Sequence, residues 1–298
     1  MSLPVVDRVE ARTVRFQQAI RAGRVRHGVA LLAVVNVTPD SFSDGGLYLE
    51  ARKAVEHAHA LVAAGATMLD VGAESTRPGS PPVPDDEQIR RALPVVEAMA
   101  SVVPVTIDTT HPAVARACLE AGALAINDVA CARDSDLARV AAHYEAAYIV
   151  SHARRGQGSM ATFGAWPEDG YTEVVQEVCE ELCEARERLC KAGVDRAGIV
   201  LDPGLGFTKS ALQSAALLRD LRMLAEKGPV LVGASRKSFL TLAIGSVPPT
   251  ARLGASVAAA LWAARHGASL VRVHDVDATA QALAVERFLE RLGRGTDA

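Results

Sequence analysis

Polar residues able to do chemistry recur at eight points of the 298-residue chain, each at the end of a short apolar run. They are Asn36, Asp70, Asp108, Asn127–Asp128, Ser151–His152, Asp202, Ser235–Arg236–Lys237, and Arg272 with His274. Asp108, Asn127 and Asp202, with Asp70 as a fourth, suit a flat heterocycle rich in N–H donors and acceptors. A carboxylate taken out of water needs a partner, and a guanidine-like ring edge supplies one. Ser235–Arg236–Lys237–Ser238 sets two cations and two hydroxyls where a helix should begin, a setting for a carboxylate or a phosphate. The glycine spacing there is not that of a phosphate-binding P-loop. Arg272 and His274 alternate on one strand, so both face one side, together with Asn36 on the neighbouring first strand. A single Asp after a strand is often only a helix cap. Eight polar ends are harder to explain as caps if the fold brings them together.

The elements that must position these residues alternate along the whole chain. Apolar runs at 29–35, 68–71, 103–107, 124–126, 147–150, 199–201, 230–232 and 270–273 are short and continuous, as expected of strands buried on both faces. Helical stretches lie between and after them at 50–64, from Asp85 onward, and at 112–121, 135–143, 168–191, 212–226, 252–265 and 277–292. Gly65, Gly122, Gly193, Gly228 and Gly267 follow five of these, as C-terminal caps do. The phrases AGAT, AGAL, AGVD and HGAS mark one helix-to-strand turn four times. Eight strand–helix units predict an α/β fold, a single-domain (β/α)8 (TIM) barrel over 29–298, with residues 1–28 as an N-terminal extension covering the barrel bottom. All eight polar ends then open on the C-terminal face, where barrel enzymes keep their active sites. NVTPDSFSDGG (36–46), GAESTRPGSPP (72–82) and DPGLGF (202–207) enrich that face in Gly and Pro, giving turns whose backbone N–H groups can meet a ligand. The first two loops have few apolar anchors and can close over a substrate.

Composition narrows the class. Hydrophobic residues make up 49% and charged residues 22%, enough for a sizeable core. The formal net charge is −3 with both signs interspersed; no basic block marks a nucleic-acid face. Met1–Gln18 lacks the apolar core of a secretory signal. The most apolar helical stretch, 255–264, is roughly half of a membrane span. A soluble, cytoplasmic protein with no membrane partner is expected. Cys118, Cys131, Cys179, Cys183 and Cys190 are odd in number and contain no CxxC, which argues against a disulfide framework. Three of them would share one helix face, and buried hydrophobic cysteines explain this better than a metal site.

Read together and in order, NVTPDSFSDGG, ESTRPG, IDT around Asp108, INDV around Asp128, LDPGLGF, SRKSF and RVHDV resemble the signature set of the dihydropteroate synthases over about residues 30–277. The resemblance implies an enzyme that joins a dihydropterin methyl diphosphate to 4-aminobenzoate and releases pyrophosphate through a dihydropterin cation. By the same resemblance, Asp108, Asn127, Asp202 and Lys237 hold the pterin, with Arg272 flanking the ring. Asn36, Arg77, Arg272 and His274 correspond to the diphosphate and magnesium neighbourhood, with Asn36 toward Mg2+. Phe42, Thr76, Pro78, Phe207 and Ser238 correspond to the aminobenzoate pocket, and Asp108, Arg77 and Lys237 to the catalytic groups. A homodimer through late helices is also implied, with Gly254, Ala255, Ala258 and Ala259 allowing close packing. The sequence departs from the family pattern at Ser151, where a methionine is usual, and at Thr208, Ala73 and His111. Two other readings stay open at this point. A methyltetrahydrofolate-binding methyl-transfer domain would need no diphosphate site, and a non-catalytic pterin-binding relative is motivated by Ser151 and His111.

Overall fold

A computed structural model describes residues 11–37, 46–74, 82–154 and 170–293. The apolar runs form eight parallel strands: β1 Ala30–Asn36, β2 Met68–Gly72, β3 Val105–Asp108, β4 Ala125–Asp128, β5 Ala147–Ser151, β6 Ile199–Asp202, β7 Leu231–Val232 and β8 Leu270–Val273. They pair in the order β6-β5-β4-β3-β2-β1-β8-β7. A bridge between Leu201 and Val230 brings β6 to β7 and completes the barrel. β3 starts two residues after its apolar run does, beyond Pro104, which has no N–H for the ladder.

Alternation along each strand divides the core. One cluster gathers Ala30, Leu32, Met68, Ala125, Ala147, Ile149, Val200, Leu231 and Leu270 in the lower barrel interior. The residues between them, such as Leu31, Leu69, Ile126, Tyr148, Leu201 and Val271, belong to a second cluster shared with the helices. Two positions above the inward apolar residues come Asp70, Asn127, Ser151, Asp202 and Arg272. The barrel interior therefore changes from apolar to polar toward its C-terminal mouth.

The surrounding helices are α2 Gly46–Ala63, α3 Asp85–Met99, α4 Pro112–Glu120, α5 Ser135–His143, α6 Val174–Lys191, α7 Ala211–Arg219, α8 Leu221–Ala225, α9 Thr241–Ile244, α10 Leu253–Arg265 and α11 Val276–Gly293. α6 begins at Val174, later than the sequence pattern, because residues 171–173 are not helical. The expected helix over 212–226 is split at Asp220, whose φ of −99° and ψ of 27° interrupt the helical path. Before β1, α1 Arg12–His27 lies across the barrel bottom. Its Phe16, Ala19 and Ile20 enter the interior cluster. Gly23 makes the close approach possible: a Cβ there would stand 2.7 Å from the Cα of Ala30. Arg12 ties α1 to the carbonyls of Tyr144 (3.0 Å) and Leu119 (3.1 Å). Among the described residues no helix is long and apolar enough to cross a membrane.

Candidate active site

The polar layer is organised around Asp70. This fully buried carboxylate accepts from Arg272 Nε at 2.6 Å, from Asn127 Nδ2 at 3.0 Å and from the Thr106 hydroxyl. Asp70 is thus occupied by protein donors and anchors the groups that remain available. Arg272 reaches on to Asp108 Oδ2 at 2.7 Å. Burial pushes the Asp108 carboxyl up to about 7; Arg272 opposes this, while Asp70 adds to it. For Arg272 burial works against the charge, but Asp70 and Asp108 more than offset it and raise its pKa. Asn127 must turn its NH2 toward the Asp70 carboxylate, which fixes the amide orientation. Its Oδ1 is then buried without a hydrogen-bond partner, a cost that an N–H donor from a ligand would remove.

Across the barrel, Asp202 is held at both oxygens. Oδ1 accepts from Gly204 N at 2.8 Å and Oδ2 from Ser151 Oγ at 2.7 Å. Ser151 therefore binds the neighbouring acid. Lys237 leads out of the loop after β7, donates to the Leu205 carbonyl and lies 4.5 Å from the centre of the Phe207 ring. Burial lowers its pKa to about 8, against the pull of Asp202. Lys237 and Phe207 consequently meet on one side of the mouth, with Asp108, Arg272 and Asn127 in the adjoining polar layer.

The loop after β7 departs from the expectation of two cations facing one anion. Arg236 turns away and pairs with Asp275 through Nε (3.0 Å) and Nη2 (2.5 Å). Its backbone N–H donates to Ser256 Oγ at 2.9 Å, and its carbonyl accepts from Arg252 Nη1 at 2.8 Å. Ser235 and Arg236 form a turn with Arg236 at φ +61°, and past it Lys237 faces the pocket while Arg236 clamps the loop to α10 and the start of α11. Asp275 is the partner of Arg236, while His274 bonds Ser235 Oγ at 3.0 Å. Ser238 opens a 3-10 turn, Ser238–Leu240, followed by only the four residues of α9. Asn36 ends β1 opposite Gly72. A Cβ on Gly72 would lie 3.7 Å from Asn36 Oδ1 and 3.8 Å from Asp108 Oδ2, so both oxygens flank one space.

Phe42, Thr76, Arg77 and Pro78 lie outside the described residues. The base of their second loop is visible: Glu74 accepts from Val83 N at 2.9 Å, and His111 meets Asp85 at 2.6 Å. His111 thus occupies itself with the start of α3. Sequence reasoning left three supporting groups unassigned. Asp128 points outward and accepts from Ala130 N, Ala132 N and the Tyr148 hydroxyl, shaping the loop after β4. His152 and Lys209 are buried together behind the loop after β6. An uninterrupted DPGLGFTK phrase was the one available signal for Lys209.

These observations define a class: a closed (β/α)8 barrel whose mouth carries acids and an orphaned amide oxygen on one side and a lysine–aromatic pair on another. The model of the family described as pterin binding enzyme matches residues 32–274. The dihydropteroate synthase of Mycobacterium leprae is 42% identical over 265 residues, 86% of this chain and 92% of that protein. A Xanthomonas albilineans dihydropteroate synthase, solved with 4-aminobenzoic acid, superposes with a TM-score of 0.80 at 40% identity, covering 88% of this chain and 93% of that one. A Haloferax volcanii protein named probable bifunctional folylpolyglutamate synthase/dihydropteroate synthase is 44% identical over 84% of this chain, which spans 29% of its length. The chain belongs to the pterin-binding enzymes and, within them, to the dihydropteroate synthase family.

Proposed function

We infer that the protein condenses (7,8-dihydropterin-6-yl)methyl diphosphate with 4-aminobenzoate to give 7,8-dihydropteroate and pyrophosphate. The observation that carries this reading is the Asn127 Oδ1, buried and unpartnered beside a polar layer of opposite-facing acids. A pterin edge offers N–H donors to Asn127 Oδ1 and Asp202, with Arg272 flanking the ring and Lys237 donating to a ring acceptor. The C–O bond to the diphosphate breaks with its electron pair leaving on pyrophosphate. The negative charge of Asp108 stabilises the cation developing on the pterin methylene. The arylamine nitrogen, oriented beside Phe207 with its carboxylate toward Ser238, then bonds to that carbon and loses a proton. No protein nucleophile takes part.

In this reading Arg272 and His274, at the strand-eight end of the mouth, take the diphosphate. Arg77 joins them from the second loop in this reading, while Phe42, Thr76 and Pro78 complete the aminobenzoate pocket. Mg2+ keeps most of its waters and takes phosphate oxygens, so one protein oxygen can suffice. Asn36 Oδ1, which with Asp108 Oδ2 borders the space over Gly72, is the donor that fits. The ion, when bound, would neutralise charge on the leaving group. A homodimer and a cytoplasmic setting belong to the same reading. In this reading a second copy would cover exposed apolar residues of the late helices, such as Trp262 on α10 and Phe288 and Leu289 on α11, whereas Ala259 is buried in the chain's own core. The direct test is to incubate the dihydropterin methyl diphosphate with 4-aminobenzoate and magnesium. Dihydropteroate and pyrophosphate should appear in equal amounts; if neither forms, the reading is wrong.

A further inference from the structure

We propose that Lys209 is a positioning residue of the active site, its buried ammonium holding the loop that presents the Leu205 carbonyl to Lys237 and the Phe207 ring beside it. Lys209 is only 1% exposed. Its Nζ lies 2.8 Å from His152 Nδ1, 3.0 Å from the Phe207 carbonyl, 3.2 Å from the His152 carbonyl and 3.3 Å from the Gly204 carbonyl. Three backbone oxygens from two loops thus converge on one cation. The Gly204 carbonyl also accepts from Phe207 N at 2.9 Å, so the Phe207 and His152 carbonyls are the two that would lose their partner without the lysine.

The backbone is built for this convergence. Gly204 has φ +62°, and a Cβ there would stand 2.1 Å from the His152 carbonyl oxygen, so no other residue can bring the two loops so close. His152 completes the arrangement. Burial lowers the Lys209 pKa to about 7 against the pull of Asp202, but the Glu181 carboxylate beside Nε2 only accepts, so in the neutral ring the proton sits on Nε2 and Nδ1 accepts from Lys209. Nε2 in turn donates to Glu181 Oε2 at 2.9 Å. Arg154 fixes Glu181 Oε1 at 2.6 Å, and Tyr171 ties off the loop by donating to the Thr208 carbonyl at 3.0 Å. Burial, with Lys209 itself adding to the effect, holds the His152 pKa down to about 4, so the ring stays neutral and able to accept.

Lys209 touches neither Lys237 nor the pocket in the described contacts. Its influence passes through residues 204–207, the segment whose opposite side receives Lys237. The inference rests on assigning Lys237 and Phe207 to the substrate pocket, and a double-mutant cycle separates the two ideas. Lys209→Met and Lys237→Ala are made singly and together, and folding is checked by thermal melting. Lys209→Met should lower kcat/KM by about 10- to 100-fold, as small displacements near a reacting centre do. In the Lys237→Ala background the same change should cost at least about threefold less than in the unaltered protein, because one of the two groups it positions is gone and only the Phe207 ring remains. Equal losses in both backgrounds, or no loss at all, would overturn the proposal. A Lys237→Ala protein of full activity would instead overturn the pocket assignment. Should Lys209→Met fail to fold, Lys209→Gln, which keeps two N–H donors, enters the same cycle with the same expectation. The unaltered protein gives an independent check by nitrogen NMR of its histidine rings. A neutral His152 with the proton on Nε2 is expected at neutral pH, and a protonated Nδ1 would rule out the lysine contact on which the proposal depends.

Discussion

Replacing Asp202 with asparagine preserves size and removes the charge that Gly204 N and Ser151 Oγ both address. The amide keeps one acceptor oxygen and sets an NH2 against one of these donors. Affinity for a pterin analogue should fall by about 2–4 kcal/mol, and unchanged binding in a calorimeter would remove Asp202 from the pterin contacts. The same scale governs the pH profile. The Asp108 carboxyl is raised to about 7 by burial and becomes the required anion only above that value. Lys237 is lowered to about 8, also by burial, and carries its charge only below that value. kcat/KM, which reports groups of the free enzyme, should therefore rise through pH about 7 and fall through pH about 8. Lys237→Arg should be slower but should lose the alkaline fall, since a guanidinium does not titrate there. A profile in which that fall persists in the arginine variant would assign it to another group.

At the scale of elements, the loop after β7 is held from behind. Arg236→Ala removes a two-pronged ion pair to Asp275 that never enters the pocket. It should nonetheless reduce kcat/KM by about 10- to 100-fold through displacement of Lys237, with Asp275→Ala giving a similar loss. Steady-state kinetics showing a wild-type rate for both would mean that the backbone bonds to Ser256 and Arg252 suffice alone. This clamp also marks where sequence reading stops. The strands were legible because both faces are buried and their runs are continuous. Asp108, Asn127 and Asp202 were legible because each follows directly on the end of an apolar run. The pairing of Arg236 with Asp275 joins residues 39 apart, and that of His152 with Lys209 joins residues 57 apart. Such partners depend on which loops the closed barrel brings together, and no local pattern encodes them. The break at Asp220 was hidden for a related reason: residues 211–225 keep helical spacing on both sides of it.

For the whole molecule, the apolar bottom and polar mouth separate stability from chemistry. Phe16 is fully buried where α1 crosses the barrel. Phe16→Ala should cost about 3–5 kcal/mol of stability, read by denaturant unfolding, while the surviving folded fraction keeps its KM values. A large change in KM without a loss of stability would show that the bottom of the barrel communicates with its mouth.

The orphaned Asn127 oxygen has a practical consequence for inhibitor chemistry. Desolvated and unmatched, it rewards a ligand that brings an N–H to that spot and penalises one that brings a lone pair. Two ring systems of identical outline, differing by a single NH-to-N exchange at that edge, would separate in a melting-temperature screen. The compound that retains the hydrogen would raise the transition with concentration as ligand-linked stabilisation requires, while its aza twin would leave the curve almost where it began.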